Sequence, residues 1–75
     1  MSKEKIYTPD DVLSCSELKE MPIGTTISGG DTYYFALKTD YDEWTFDDRI
    51  EMQFSRSSRF IQSAFEYTNF IVNMP

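Results

Sequence analysis

Residues 32–46 decide the fold, and they read TYYFALKTDYDEWTF. Successive side chains of a strand point to opposite faces, so Phe35 and Leu37 share one face of an extended chain. The acidic residues 40–43 interrupt the alternation, and residues 44–46 resume it, which predicts a β-hairpin. We expect the face that carries Phe35 and Leu37 to enter the core.

Further strands are predicted on both sides of this hairpin. Residues 25–28 are β-prone and are followed by a Gly-Gly-Asp turn signal at residues 29–31. Residues 50–54 alternate between apolar and polar, and residues 70–72 form a short apolar run. The sheet is therefore expected to contain 3–5 strands.

Two helical segments complete the pattern. Thr8 followed by Pro9 suits a helix start, and residues 14–17 have the spacing of a capping box, so one bent helix or two short ones fit this region. The serines within residues 55–58 are candidate N-caps for a second helix, because apolar residues from 60 to 65 share one helical face. The predicted fold class is α+β: a small, mainly antiparallel sheet with an N-terminal helical segment and one C-terminal helix followed by a short strand.

The length of 75 residues predicts a single domain that spans residues 1–75. A domain of this size buries only ~60 % of the surface of its unfolded chain. The aromatic content of 16 % supplies large side chains for a core built from few residues. Trp44 is expected in that core, and the predicted hydrophobic centre comprises Tyr33, Phe35, Leu37, Phe46, Ile50, Met52, Phe60, Ile61 and Phe65.

Charge and cysteine content restrict the function classes. The net charge of −6 argues against direct binding of nucleic acid, which requires a basic surface. The charged N-terminal segment and the absence of a long apolar run predict neither a signal peptide nor a membrane span, so we expect a cytoplasmic protein. Cys15 is the only cysteine and cannot form an intrachain disulfide.

The residue types needed for common catalytic sites are missing from the sequence. It contains no histidine, which removes Ser-His and Cys-His pairs and most zinc sites. Its three glycines do not have the spacing of a phosphate-binding loop. We therefore predict that the protein is not an enzyme and that it has no cofactor and no metal.

The acidic residues are concentrated in the predicted hairpin. Residues 31–48 contain six acids and one base, so this segment accounts for −5 of the net charge. Such a surface suits a basic groove that is built for phosphates, which is the DNA-mimic hypothesis. The alternative is an acidic loop that only keeps the protein soluble. The predicted partner-binding residues are Asp40, Tyr41, Asp42, Glu43, Asp47 and Asp48.

A resemblance adds to this interpretation. Residues 18–27, which read LKEMPIGTTI, lead to Tyr34, Lys38 and Trp44, and this pattern resembles small accessory proteins encoded by tailed bacteriophages. The resemblance implies a phage protein, a class that includes inhibitors of host enzymes and of bacterial defence systems such as CRISPR. It carries over no catalytic residue.

These observations predict a non-enzymatic acidic binding protein of phage type. Its expected partner is a host or bacterial-defence protein with a basic groove, such as a nucleic-acid-binding enzyme, and direct contact with nucleic acid or a membrane is not expected. The alternative is a structural or assembly module that forms a homo-oligomer, which the aromatic surplus and the apolar residues 70–72 favour.

Overall fold

The fold is an antiparallel sheet with two short helices, as seen in a computed structural model that describes residues 3–11, 13–29, 33–47 and 54–75. The six strands have the order β1-β6-β2-β3-β4-β5, and every neighbouring pair is antiparallel. The predicted α+β class is confirmed. In chain order the elements are β1 (Lys3–Tyr7), α1 (Cys15–Glu20), β2 (Thr26–Gly29), β3 (Phe35–Asp40), β4 (Glu43–Asp47), β5 (Phe54–Arg56), α2 (Ser58–Ala64) and β6 (Phe70–Met74).

Strand β1 was not predicted, so the expected count of 3–5 strands was wrong. Its sequence KEKIY has little apolar periodicity, and its stability comes from pairing with β6. Tyr7 lies opposite Phe70 in this pairing, and their rings stack with centroids 4.6 Å apart. The pairing joins two segments from opposite ends of the chain, which local sequence patterns do not reveal.

The N-terminal helix begins later than the first of the two candidate caps. Thr8 and Asp11 instead close a turn, in which the Thr8 backbone N–H donates to Asp11 Oδ2 at 2.8 Å. Helix α1 starts at the second candidate, where the Glu17 backbone N–H donates to Ser14 Oγ at 3.2 Å. The capping-box prediction is thus confirmed, although the Glu17 carboxylate accepts from the Ser14 hydroxyl rather than from its backbone.

Helix α2 begins after Ser57, one of the serines predicted as a cap. Its hydroxyl accepts the backbone N–H of Phe60 at 3.4 Å. Leu18 of α1 and Ile61 of α2 are both fully buried in one core with Ile27 of the sheet. The helices therefore cover the same face of the sheet, which we call the inner face. Neither helix is long and apolar enough to cross a membrane, and the structure describes no other helix.

The buried face of β3 is the opposite of the predicted one. Ala36 and Lys38 are buried, whereas Phe35 and Leu37 are exposed. The reason lies in the neighbouring strands, because Ala36 is in register with the buried Ile27 of β2, and a shift by one residue would reverse every side chain of the strand.

The predicted core is accordingly confirmed only in part. Of the predicted residues, Phe46, Ile61 and Phe65 are buried, and so is Trp44. The expectation was wrong for Tyr33, Phe35, Leu37 and Phe60, which are exposed. Ile50 and Met52 lie outside the described residues, as does most of the strand predicted at residues 50–54, of which Phe54 begins β5.

Candidate protein-binding surface

The turn between β3 and β4 carries an exposed tyrosine together with exposed carboxylates. Tyr41 is 59 % exposed, and its backbone N–H donates to Asp40 Oδ1 at 2.7 Å. On the other side, Thr39 Oγ1 donates to Glu43 Oε1 at 3.1 Å. We call residues 40–43 the hairpin tip. Local hydrogen bonds orient both of these acids, and both remain exposed to solvent.

Asp42 belongs to the same turn but has a structural task. The backbone N–H of Ser58, the first residue of α2, donates to Asp42 Oδ1 at 2.9 Å. This bond and one from the Ser58 side chain lower the pKa of Asp42, and the charges of Lys19 and Lys38 act in the same direction. One of its carboxylate oxygens is therefore occupied by the start of α2, so Asp42 is less available to a partner than Asp40.

The strand that leads into the hairpin tip carries a buried lysine, Lys38. Lys38 is 1 % exposed, and its Nζ donates to the backbone carbonyls of Leu18 and Lys19, the latter at 2.7 Å. These carbonyls belong to the last turn of α1. Backbone carbonyls there have no N–H donor within the helix, and a cation at this end of a helix is favourable. Lys38 Nζ also lies 5.5 Å from the ring centroid of Trp44 and 5.9 Å from that of Tyr41.

Burial alters the ionisation of this lysine. Desolvation lowers the pKa of Lys38, and the nearby carboxylates of Glu20 and Asp42 oppose that effect. Sequence reasoning missed Lys38 as a structural residue, although its position two residues after Ala36 placed it on the same strand face. The sequence could not show that the last turn of α1 packs against Lys38 and supplies acceptors for its ammonium.

Trp44 connects the tip to the second helix. Its indole Nε1–H donates to Ser58 Oγ at 3.1 Å, and both side chains are fully buried. The buried indole N–H thus has the hydrogen-bond partner that such a group requires. Because Lys38 attaches β3 to α1 and Trp44 attaches β4 to α2, the two strands that carry the tip are both fixed to the helical layer.

The structure does not bring all predicted binding residues together. Asp40, Tyr41, Asp42 and Glu43 share the hairpin tip, but Asp47 lies at the other end of β4. Four residue steps separate it from Glu43, which corresponds to roughly 13 Å along a strand. Asp48 lies outside the described residues.

The described residues also include features that bear on metal, thiol and small-molecule sites. No group of three or more Asp, Glu or Cys side chains there is arranged to hold a metal ion. Cys15 is half-buried at the start of α1, and its thiol is not part of a disulfide. A small cavity of about 80 Å³ lies between Leu13, Ile61 and Phe65. Two open surface clefts are larger: one of about 480 Å³ beside Tyr7 and Met21, and one of about 580 Å³ beside Cys15 and Asp42.

The hairpin tip is consequently the part of the predicted site that the fold presents as one surface. It combines two exposed carboxylates and an exposed tyrosine on strands that are held by buried hydrogen bonds. No protein family, curated protein or solved structure matches this chain.

Proposed function

We propose that this protein is a non-enzymatic acidic binding protein whose hairpin tip engages a basic surface of a partner protein. The observation that carries the proposal is the exposure of Tyr41 in the same turn as the exposed Asp40 and Glu43, at the end of a hairpin held by buried hydrogen bonds. Tyrosine is enriched among the residues that dominate binding energy at protein interfaces. Its ring would supply apolar contact while the flanking carboxylates meet lysine or arginine.

The rigidity of the hairpin supports this role. A partner that binds a flexible loop must offset the cost of ordering it, whereas a preorganised surface avoids that cost. Lys38 and Trp44 hold the two strands beneath the tip through buried hydrogen bonds. The tip is therefore ordered before a partner arrives.

The charge of the chain supports a basic partner. Complementary fields accelerate encounter and discourage wrong partners, and the net charge of −6 repels free nucleic acid. A groove that normally holds phosphates would offer the required lysines and arginines. Together with the resemblance to phage accessory proteins, this leads us to propose inhibition of a host or bacterial-defence protein in the host cytoplasm.

The test is a pull-down from nuclease-treated bacterial lysate with washes at low and high salt. We expect the wild type to capture a nucleic-acid-binding protein that high salt releases, because salt screens exposed charges. The double variant D40N/Y41A should lose this capture. Its matched control D10N/Y67A removes the same side chains at the opposite end of the sheet, where both residues are also exposed, and should retain it.

Two results would contradict the proposal. Equal capture by D40N/Y41A and the wild type would show that the tip does not bind. Equal loss in D40N/Y41A and D10N/Y67A would show that only net charge matters. Circular dichroism of both variants establishes that they are folded.

The alternative function is a homo-oligomeric assembly module. Strand β1 is an edge strand of the sheet, and its Ile6 is exposed, so a second copy could pair along this edge. Light scattering over a range of protein concentrations tests this alternative. If the molar mass of the wild type rises with concentration and that of I6K does not, the assembly module is favoured over the proposed binding function.

A further inference from the structure

The helices cover one face of the sheet, and no described element covers the other. We call this second face, formed by the strand residues that alternate with the buried ones, the outer face. On β3 it carries Phe35 and Leu37, and on β6 it carries Ile71. A sheet face that lacks a covering layer is an interaction surface when it is apolar.

Apolar side chains extend across several strands of the outer face. The register places Ile6 of β1 opposite Ile71 of β6, Ile71 opposite Ser28 of β2, and Ser28 opposite Phe35 of β3. Three inter-strand steps separate Ile6 from Phe35, which is roughly 14 Å. Ile6 is 66 % exposed, and Phe35 and Leu37 are 41 % and 37 % exposed. The outer face therefore offers two apolar patches to solvent, Ile6 with Ile71 and Phe35 with Leu37, on either side of Ser28.

The charged side chains that the structure describes on this face are acidic. Its acids are Glu4, Glu43 and Asp47, at three separate positions around the apolar residues. None of the described basic side chains lies there. Lys5 contacts the Tyr7 ring on the inner face, Lys38 is buried there, Arg56 packs on the ring of Phe60 of α2, and Lys19 and Arg59 are on the helices.

We propose that the outer face is a second docking surface, which binds a protein surface with an apolar centre and lysine or arginine at its rim. Charge complementarity selects this occupant, because the carboxylates of Glu4 and Glu43 favour basic side chains around the apolar contact. A second copy placed face to face would bring carboxylates against carboxylates. An anionic membrane would be repelled for the same reason.

This inference rests on the proposed function only in that both expect a basic partner. The tip and the outer face adjoin at Glu43, whose carboxylate accepts from Thr39 on the exposed side of the hairpin. A partner of ordinary interface size, with roughly 800 Å² buried on each side, would be large enough to contact both.

The experiment uses the full-length chain labelled with ¹⁵N and a synthetic helical peptide of leucine and lysine as the probe. We expect amide shifts to change at Ile6, Phe35, Leu37 and Ile71 as the peptide is added. The same peptide with glutamate in place of lysine should leave them unchanged. Shifts confined to the helical side, or equal shifts with both peptides, would overturn the proposal.

A matched pair of variants gives a second measurement. Ile6 on the outer face and Ile23 in the turn after α1 are 66 % and 62 % exposed, so lysine at either position should affect folding similarly. I6K should weaken peptide binding at least about fivefold, the effect of losing a significant interface residue, while I23K should not. Equal binding by I6K and I23K would refute the docking surface.

The remaining outcomes separate this proposal from the others. Concentration-dependent shifts of the outer face without peptide would identify a second copy as its occupant and overturn the inference. Binding to vesicles that contain phosphatidylglycerol would do the same in favour of a membrane. D40N/Y41A leaves the outer face intact, so peptide binding by this variant supports the outer face even if the tip fails in the pull-down.

Discussion

Replacement of the buried Lys38 by methionine tests whether this lysine stabilises the fold. Methionine preserves most of the aliphatic stem, so the change removes the ammonium with little loss of volume. The carbonyls of Leu18 and Lys19 lose their donor, and the charge beside Trp44 disappears. The substitution therefore isolates the polar contribution from the packing.

The expected magnitude follows from two opposing effects. Hydrogen bonds to a charged group contribute roughly 1.5–3 kcal/mol each, and Lys38 makes two. Removing the ammonium also relieves its desolvation, which cancels part of that loss. We expect K38M to lower the free energy of unfolding by about 2 kcal/mol, or the Tm by roughly 8–16 °C for a domain of this size.

Urea denaturation followed by Trp44 fluorescence measures this difference, with K5M as the control because Lys5 is exposed. The pH dependence gives a second signature. Burial lowers the pKa of Lys38 below its ordinary value of 10.5, so the unfolded chain holds more protons between the folded pKa and 10.5. Stability from this group therefore rises with pH across that window, and the gap between wild type and K38M should widen as pH approaches 10.5.

A K38M protein as stable as the wild type at pH 7 would refute this reasoning. It would mean that the two carbonyl bonds do no more than offset the desolvation of the ammonium. A constant gap between the two proteins from pH 7 to pH 10 would refute the pKa argument separately.

Two further substitutions test the contacts beneath the hairpin tip. S58A should lower the free energy of unfolding by roughly 1–3 kcal/mol, because the Trp44 indole N–H is left buried without an acceptor. The control S55A changes an exposed serine and should leave the free energy of unfolding unchanged in the same urea titration. Asp42 has a pKa below its ordinary 3.8, so its stabilising effect is present above pH 3.8 and is lost as pH falls through the folded pKa. In D42N the free energy of unfolding should therefore fall less steeply below pH 3.8 than in the wild type. The same pH dependence in both proteins would contradict this role of Asp42.

Local signals predicted the elements whose causes are local. The Ser14 cap, the hairpin of β3 and β4, and the amphipathic α2 all depend on residues a few positions apart. The final strand at residues 70–74 was likewise predicted, though its last two residues were not.

The errors concern features that depend on distant partners. Both faces of β3 offered apolar residues, and only the register with Ile27 and the carbonyls of α1 decide that Lys38 is buried. The candidate site shows the same limit. Its acids were evident from the sequence, but the capping role of Asp42 and the distance of Asp47 from the tip required the fold. The outer face was missed because Phe35 and Leu37 were predicted in the core and because the strand that carries Ile6 was not predicted.

The pairing of β1 with β6 has a consequence for how the protein can be handled. Lys3 is in register with Met74, and the same end of the sheet carries the β3–β4 turn. A tag or fusion partner attached next to Lys3 or Met74 would thus emerge at the same end of the sheet as Tyr41 and Asp40, three or two inter-strand steps from β3. A short peptide could instead join the two ends, with new ends opened near Tyr67 at the far side. Such a circularly permuted protein would display the hairpin tip unobstructed on a sensor surface.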